Sequence, residues 1–383
     1  MLVVTGQART MVSTDRAVAY VHLGILGENY RTIRSKLSPG VGLLCVVKAD
    51  AYGHGAIEVS RRLEALGVSS LGVATVEEGV ELRINNIKAP ILVLSGIMPW
   101  DDISTFLEHD LTPAIYNLET LTRIRARAGT FCAPLKVHMK FDTGMGRLGF
   151  SAKDAAAVMD CVENVASIQI DGLMTHFSGS ETRDQYGIDQ VTAFKEVVRG
   201  FVERGFRPRT IHMANSGAII NYPEAHFTMV RTGISLYGSH PSKDLKEKLP
   251  TRQVMKFASK VALTREFPVG YALSYGRSFV TERRTVVAYI PVGYADGYPR
   301  ALSNKGYVLI KDRPCPVVGR VCMDWLLVDV TDLSTVSVND EVILLGEGKS
   351  NTITADEIGE IADTIPYEIL TQISRRVPRV YIG

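Results

Sequence analysis

From about residue 24 to about residue 240, short apolar runs alternate with longer amphipathic stretches, and this alternation constrains the fold more than any other feature of the chain. The apolar runs are 43–48, 70–74, 91–94, 112–115, 135–140, 168–175, 209–213 and 229–232. Between most of them lie stretches with helical spacing of apolar residues, such as 56–66, 75–85, 118–128 and 190–204. Eight short strands, nearly all followed by a helix or loop unit, predict a (β/α)8 barrel; a doubly wound open sheet is the alternative for the same pattern.

With 383 residues the chain is too long for one ordinary domain and comfortable for two. After about residue 250 the texture becomes β-rich, with strand-like runs at 261–266, 285–291, 306–310, 316–318, 326–330 and 341–345 separated by turn residues. One short helix is predicted at 355–362. The run 17–23 precedes the first barrel helix and can pair with this second domain instead of the barrel. The expected division is an N-terminal extension and strand at 1–23, the α/β barrel at 24–245 and a mostly β domain at 246–383.

Charge excludes several classes of partner. Lys and Arg total 43 against 41 for Asp and Glu, with no block of one sign, so neither nucleic acid nor a membrane surface is indicated. No apolar run approaches the ~20 residues that span a bilayer. The first 14 residues lack the pattern of a secretion signal, and Met11 is an alternative start. Cys45, Cys132, Cys161, Cys315 and Cys322 are odd in number and show no metal spacing, which reads as free thiols in a reducing cytoplasm.

The chemistry concentrates where barrel strands end. Lys48 closes the run 43–47 and opens the loop Ala49-Asp50-Ala51-Tyr52-Gly53-His54-Gly55. A lysine delivered from an apolar strand into a loop mouth is partly desolvated, so its pKa falls and its amine can form a Schiff base. Glycines and a tyrosine hydroxyl just beyond suit a phosphate, and together they point to pyridoxal phosphate. A lysine merely capping a strand end is the plain alternative. Lys140 begins a second motif, Lys140 to Gly149, whose glycines aim Arg147 at an anion; a tight turn with a surface arginine has the same spelling. His176 ends the sixth run, and a lone histidine is more often a satisfied core residue. Ser216, with Asn215, opens a predicted helix, where backbone amides make a phosphate site or an ordinary cap. Arg231, Gly233 and Ile234 end the eighth run. In the β-rich half, Tyr275 and Met323 sit in compact loops, and Tyr294 and Tyr367 are equally consistent with packed aromatics.

Taken in order, the segments 48–56, 140–149, 175–178, 214–217, 231–238, 274–277 and 320–324 resemble the alanine racemase family across nearly the whole chain. The resemblance implies a pyridoxal-phosphate-binding TIM barrel followed by a β domain, in agreement with the patterning. It implies that Lys48 carries the cofactor and is the base toward the D-enantiomer, with Tyr275 the base toward the L-enantiomer. His176 and Arg231 match a network that supports the tyrosine, and Arg231 matches the residue facing the pyridine nitrogen. Arg147 matches a contact to the cofactor and to the substrate carboxylate, which Met323 also contacts. Tyr52, Asn215, Ser216, Gly233, Ile234 and Tyr367 match cofactor contacts, mainly to phosphate, and Lys140 matches a position carbamylated in many members. Tyr275 and Met323 reach the other subunit's site in the family, which implies a homodimer with shared sites.

The expected activity is interconversion of L- and D-alanine, supplying D-alanine for peptidoglycan in the cytoplasm. A racemase of wider range acting on serine, lysine or arginine is the alternative within the fold. A decarboxylase of the related barrel would place an acidic residue at the pyridine nitrogen, which Arg231 opposes. A non-catalytic pyridoxal phosphate carrier would lack the β domain.

Overall fold

The computed structural model describes residues 16–127, 131, 133–163 and 165–383. The N-terminal extension, the alternative start at Met11 and Cys132 lie outside the described residues. The chain enters on β1 (Ala17–His22) and the helix Leu23–Arg34. Eight parallel strands follow: β2 (Gly42–Val46), β3 (Ser70–Val73), β4 (Ile91–Val93), β5 (Leu111–Ile115), β6 (Leu135–Asp142), then, past the two-residue β7 (Phe150–Ser151), β8 (Ile168–Met174), β9 (Thr210–His212) and β10 (Met229–Thr232). Each pairs with the next, and β10 returns to β2. The β5–β6 pairing closes the circle, so the sheet is a barrel and the doubly wound alternative is ruled out. All eight expected strands are present. Their side chains are buried because helices such as Ala56–Ala65, Val76–Ile84 and Gln185–Glu203 cover the outside.

After β10 the outer layer departs from the repeat. A short 3-10 turn, Ile234–Tyr237, stands where a full helix would be, and the N-terminal helix packs against it. Asn29 of that helix, buried, donates to the carbonyls of Leu236 (3.0 Å) and Arg252 (2.8 Å), so one amide satisfies backbone groups on both sides of the domain junction.

The second half contains β11 (Met255–Lys260), β12 (Leu263–Phe267), β13 (Ala272–Leu273), β14 (Phe279–Val280), β15 (Thr285–Ile290), β16 (Tyr307–Ile310), β17 (Arg313–Pro316), β18 (Leu326–Asp329), β19 (Glu341–Glu347), β20 (Thr352–Ile353) and β21 (Arg379–Ile382). The largest sheet runs β17-β16-β19-β11-β1-β21. The entering strand β1 pairs antiparallel with β11 and parallel with β21, so the first residues of the described chain complete the second domain's sheet. The run expected at 316–318 is displaced: the strand is Arg313–Pro316, and its prolines are tolerated because β17 is the sheet edge. The strands Met255–Lys260 and Arg379–Ile382 and the helix Pro366–Gln372 had no clear periodic signal in sequence, whereas the helix Ala355–Ala362 is where the pattern put it.

Candidate active site

Lys48 leaves the barrel at the carboxyl end of β2, and the four residues after it adopt a left-handed turn. Ala49, Asp50, Ala51 and Tyr52 have φ of 52°, 54°, 52° and 53°. Left-handed backbone costs L-residues roughly 1–2 kcal/mol each, so other contacts must hold the turn. Within it, the Gly53 N–H donates to the Ala49 carbonyl (3.0 Å) and the Gly55 N–H to that of Asp50 (2.9 Å), while Asp50 Oδ1 accepts from the Ala56 N–H (2.8 Å). His54 is buried, and its Nδ1 lies 2.9 Å from the carbonyls of both Ala51 and Tyr52. Two carbonyls at one nitrogen require Nδ1 to carry the proton. Burial pulls the His54 pKa down to about 4, which keeps the ring neutral. Outside the turn, the Glu78 carboxylate accepts from the Ala49 N–H (2.7 Å) and the Ala74 N–H (2.6 Å), clipping the ends of β2 and β3 together.

This geometry aims Lys48 into a cationic cluster. Its pKa is lowered mainly by burial and further by Arg147, with Glu78 opposing. Lys140, at the end of β6, falls to about 8 through burial and the nearby charges of Arg147 and Arg231. Asp142 orders the loop beyond it: Oδ1 accepts from the N–H groups of Gly144 (2.8 Å) and Met145 (2.9 Å), and Oδ2 from that of Arg147 (3.1 Å). Four cations around one barrel mouth create a site that favours anionic ligands.

Arg231, from β10, is buried and held on all sides. Nη1 donates to His212 Nδ1 (2.7 Å) and to the His212 carbonyl (3.1 Å). Nη2 shares its two protons among three acceptors, the carbonyls of Thr175 (2.7 Å) and Met213 (2.9 Å) and His176 Nδ1 (3.0 Å). Among the described residues no hydrogen-bond partner takes its Nε–H. Burial, then the Arg147 charge, lowers Arg231 to about 9. Burial and the surrounding cations, Arg231 foremost, push His176 well below its usual range, so its ring is neutral. Its Nδ1 accepts from Arg231, so its proton sits on Nε2.

A second cradle lies beside Tyr52. Ser216 Oγ accepts from the Gly233 N–H (3.0 Å), which leaves the Ser216 O–H to donate elsewhere. A Cβ on Gly233 would sit 2.7 Å from the Tyr52 hydroxyl, so only glycine leaves room there. The Tyr52 ring packs 5.9 Å from that of Tyr367 and 5.0 Å from that of Tyr237. Tyr367 is raised to about 12 by burial, so it stays a neutral hydrogen-bond donor. Asn215 is occupied otherwise: its Oδ1 accepts from the Ser180 hydroxyl (2.6 Å) and the Ala218 N–H (3.1 Å). The helix expected after Ser216 is the single turn Ala218–Asn221, too short for a substantial dipole. The anion donors there are therefore hydroxyls and loop amides, not a helix terminus.

The structure thus brings Lys48, Tyr52, Lys140, Arg147, His176, Ser216, Arg231, Gly233, Ile234 and Tyr367 to one end of the barrel. Tyr275 and Met323 lie elsewhere, 71% and 53% exposed on the second domain. Their loops are fastened to each other: Ser274 Oγ donates to the Arg320 carbonyl and accepts from the Arg320 N–H, both at 2.9 Å. Sequence reasoning assigned no role to His212, Glu78 or His54. Glu78 follows Thr75 by three residues, a capping-box spelling, and Thr75 does accept from the Glu78 N–H (3.4 Å). The diversion of its carboxylate to Ala49 is tertiary. Among the described residues no His, Cys, Asp or Glu cluster could hold a metal ion.

Residues 21–241 match the family described as alanine racemase, N-terminal domain, and residues 254–381 match alanine racemase, C-terminal domain. An alanine racemase of Geobacter sulfurreducens is 41% identical over 96% of this chain and 97% of its own length. One from Halothermothrix orenii is 42% identical over 95% and 96%. A crystal structure of alanine racemase from D-cycloserine-producing Streptomyces lavendulae superposes with a TM-score of 0.92 at 34% identity, covering 97% of this chain and 98% of that one. An alanine racemase from Bartonella henselae with covalently bound pyridoxal phosphate superposes with a TM-score of 0.85 at 29% identity, covering 96% and 100%.

Proposed function

The chain belongs to the alanine racemase family, and on that premise we propose that its residues interconvert L- and D-alanine with pyridoxal phosphate by two bases on opposite faces of the substrate. The cofactor fits the site: a desolvated lysine amine, a Gly233 gap beside the Tyr52 and Ser216 hydroxyls, and an unclaimed Arg231 Nε–H converge on the barrel mouth. When bound, pyridoxal phosphate supplies an aldehyde that condenses with amines and a ring that draws electrons from the substrate's α C–H bond.

Lys48 would hold the cofactor, and its free amine would exchange a proton with the substrate's α-carbon on one face. Its lowered pKa supplies the free amine that this needs. The hydroxyls of Tyr52, Ser216 and Tyr367 and the Ile234 amide form the phosphate cradle around the gap left by Gly233, whose own N–H holds Ser216 Oγ in place. The Arg231 Nε–H would hold the ring nitrogen of the cofactor, and because a guanidinium does not readily give up its proton, it would leave that nitrogen unprotonated and the ring a modest electron sink. Arg147 binds the substrate carboxylate. Lys140, whose pKa near 8 makes a free amine available, is the site where a carbamate would form, and the charge of that carbamate would hold Arg147.

Tyr275 of a second copy exchanges a proton on the opposite face, and Met323 of that copy offers its backbone to the carboxylate. A phenol is a weak base at its ordinary pKa of ~10. The neutral His176, oriented through Nδ1 by Arg231, directs its Nε2–H toward the incoming phenolic oxygen and stabilises the phenolate. The exposure of Tyr275 in one chain supports a homodimer with two shared sites. No helix among the described residues is long and apolar enough to cross a membrane. The D-alanine formed supplies peptidoglycan synthesis.

The observation that carries this reading is Arg231, a buried cation fixed between two histidines with one donor left for the cofactor. Incubation of the purified protein and pyridoxal phosphate with L-alanine, L-serine and L-lysine, followed by chiral separation, tests it. D-alanine formed fastest supports the reading. Faster conversion of serine or lysine would replace it with a racemase of wider range, and no conversion would overturn it.

A further inference from the structure

The left-handed turn after Lys48 is gripped from outside the barrel by the last strand of the chain. The Gly53 carbonyl, at the end of that turn, accepts from Arg379 Nε at 3.0 Å. The other donors of the same guanidinium are anchored close by. Nη1 reaches the carbonyls of Ser374 (2.6 Å) and Val377 (2.7 Å), and Nη2 reaches that of Ile373 (2.6 Å). Arg379 therefore ties a three-carbonyl bend in the C-terminal segment to one carbonyl of the lysine turn. Two neighbours press on the same surface. A Cβ on Gly53 would lie 2.4 Å from the Leu370 carbonyl oxygen, and one on Gly55 would lie 1.8 Å from the Tyr381 hydroxyl. The inner surface of this turn presents Lys48 and Tyr52, the two residues through which the turn reaches the cofactor.

We propose that Arg379 is a positioning residue for the cofactor site: it locks the left-handed turn and so sets where the Lys48 amine and the Tyr52 hydroxyl meet a phosphate-bearing aldehyde. The proposal rests on the reading of Lys48 as the cofactor lysine. Arginine suits the task because its planar fork serves several carbonyls at fixed angles, which a lysine ammonium on a flexible stem cannot do. The second domain thereby acts on the cofactor site of its own chain, in addition to offering Tyr275 to another.

The test uses full-length wild type, Arg379→Met and Arg379→Lys. Two quantities are measured: affinity of the cofactor-stripped protein for pyridoxal phosphate, followed by the visible absorbance of the lysine-bound cofactor, and hydrogen exchange of the amides at 53 and 55, which close the turn. Arg379→Met is expected to weaken pyridoxal phosphate binding by about 10-fold or more, equivalent to ~1.4 kcal/mol. The amides at 53 and 55 are expected to lose protection while those of β2 and β3 keep theirs, and Arg379→Lys should recover part of both effects. Affinity within about twofold of wild type, or unchanged protection of the turn, would overturn the proposal. So would failure of both variants to fold, because Arg379 would then serve global stability and not the turn. Failure of the wild type itself to take up pyridoxal phosphate would overturn the reading of Lys48, whereas the exchange measurement reports on the turn alone.

Discussion

Arg231 Nη1 donates to His212 Nδ1 across 2.7 Å, and that one bond sets the proton positions of a buried chain. Because Nδ1 accepts, the His212 proton sits on Nε2 and faces His138 Nδ1 at 2.8 Å. Burial, with Arg231 next in weight, keeps His212 well below its usual pKa, so it orients the guanidinium as a neutral acceptor. Replacing His212 with Leu removes that acceptor and leaves one buried Nη1 proton of Arg231 unpaired, so the guanidinium is held less firmly by the remaining carbonyls and His176. Turnover is expected to fall by up to ~10²-fold, the scale of a misplaced catalytic group, with a smaller effect on KM. Steady-state kinetics of His212→Leu in both directions checks this, and His212→Asn, which can still offer an acceptor, should retain more activity.

Tyr275 and Lys48 are expected to meet only across a dimer. Tyr275→Phe should bind pyridoxal phosphate normally and lose about 10²–10⁴-fold in racemisation, the range of one acid–base group. Lys48→Ala should also be nearly inactive. Unfolding and co-refolding the two variants together should restore activity, because a mixed dimer contains one site with both native residues. If the mixture is as inactive as its parts, the shared-site arrangement is wrong.

Lys140 gives a pH signature in the cofactor-free protein. Its pKa is about 8 in the folded chain against 10.5 for a free lysine. Below about 8 both states hold the proton and the folded state bears the burden of a buried charge. Between about 8 and 10.5 the unfolded chain binds more protons than the folded one, so stability rises with pH. Denaturant midpoints of wild type compared with Lys140→Met should therefore converge as pH climbs through that window. Carbamylation is read separately, by 13C NMR in labelled bicarbonate: a carbamate signal in wild type should vanish in Lys140→Met.

Gly233 fills no space, and the cofactor cradle needs it that way. Gly233→Ala puts a methyl group 2.7 Å from the Tyr52 hydroxyl. Weakening of pyridoxal phosphate binding by ~10-fold, or ~1.4 kcal/mol, is expected, with thermal unfolding of the cofactor-free protein little changed. Equilibrium titration with pyridoxal phosphate measures it.

The amino-acid sequence by itself determined eight buried strands alternating with covering helices, because apolar runs of strand length are buried on both faces only when amphipathic helices cover them; that the sheet closes into a barrel and is not an open doubly wound sheet was decided by the β5–β6 pairing. It also placed Lys48, Lys140, His176, Ser216 and Arg231 on one rim, since residues at the carboxyl ends of parallel strands share an end of the barrel. The second domain was less legible. Its edge strand contains prolines, and although the run 17–23 was expected to pair with this domain, its place between β11, about 240 residues later in the chain, and β21 has no local periodicity to betray it. Only the tertiary structure decided that Ala49 to Tyr52 turn left-handed. Their side chains give no sign of it, because the turn is imposed by Glu78 from the helix after β3 and Arg379 from the final strand. The same holds for Arg231, whose composition-level identity as one more cation became a defined role only when folding surrounded it with His212, His176 and three carbonyls. Local patterning fixes which faces are apolar; long-range contacts fix which polar atoms meet, and chemistry depends on the latter.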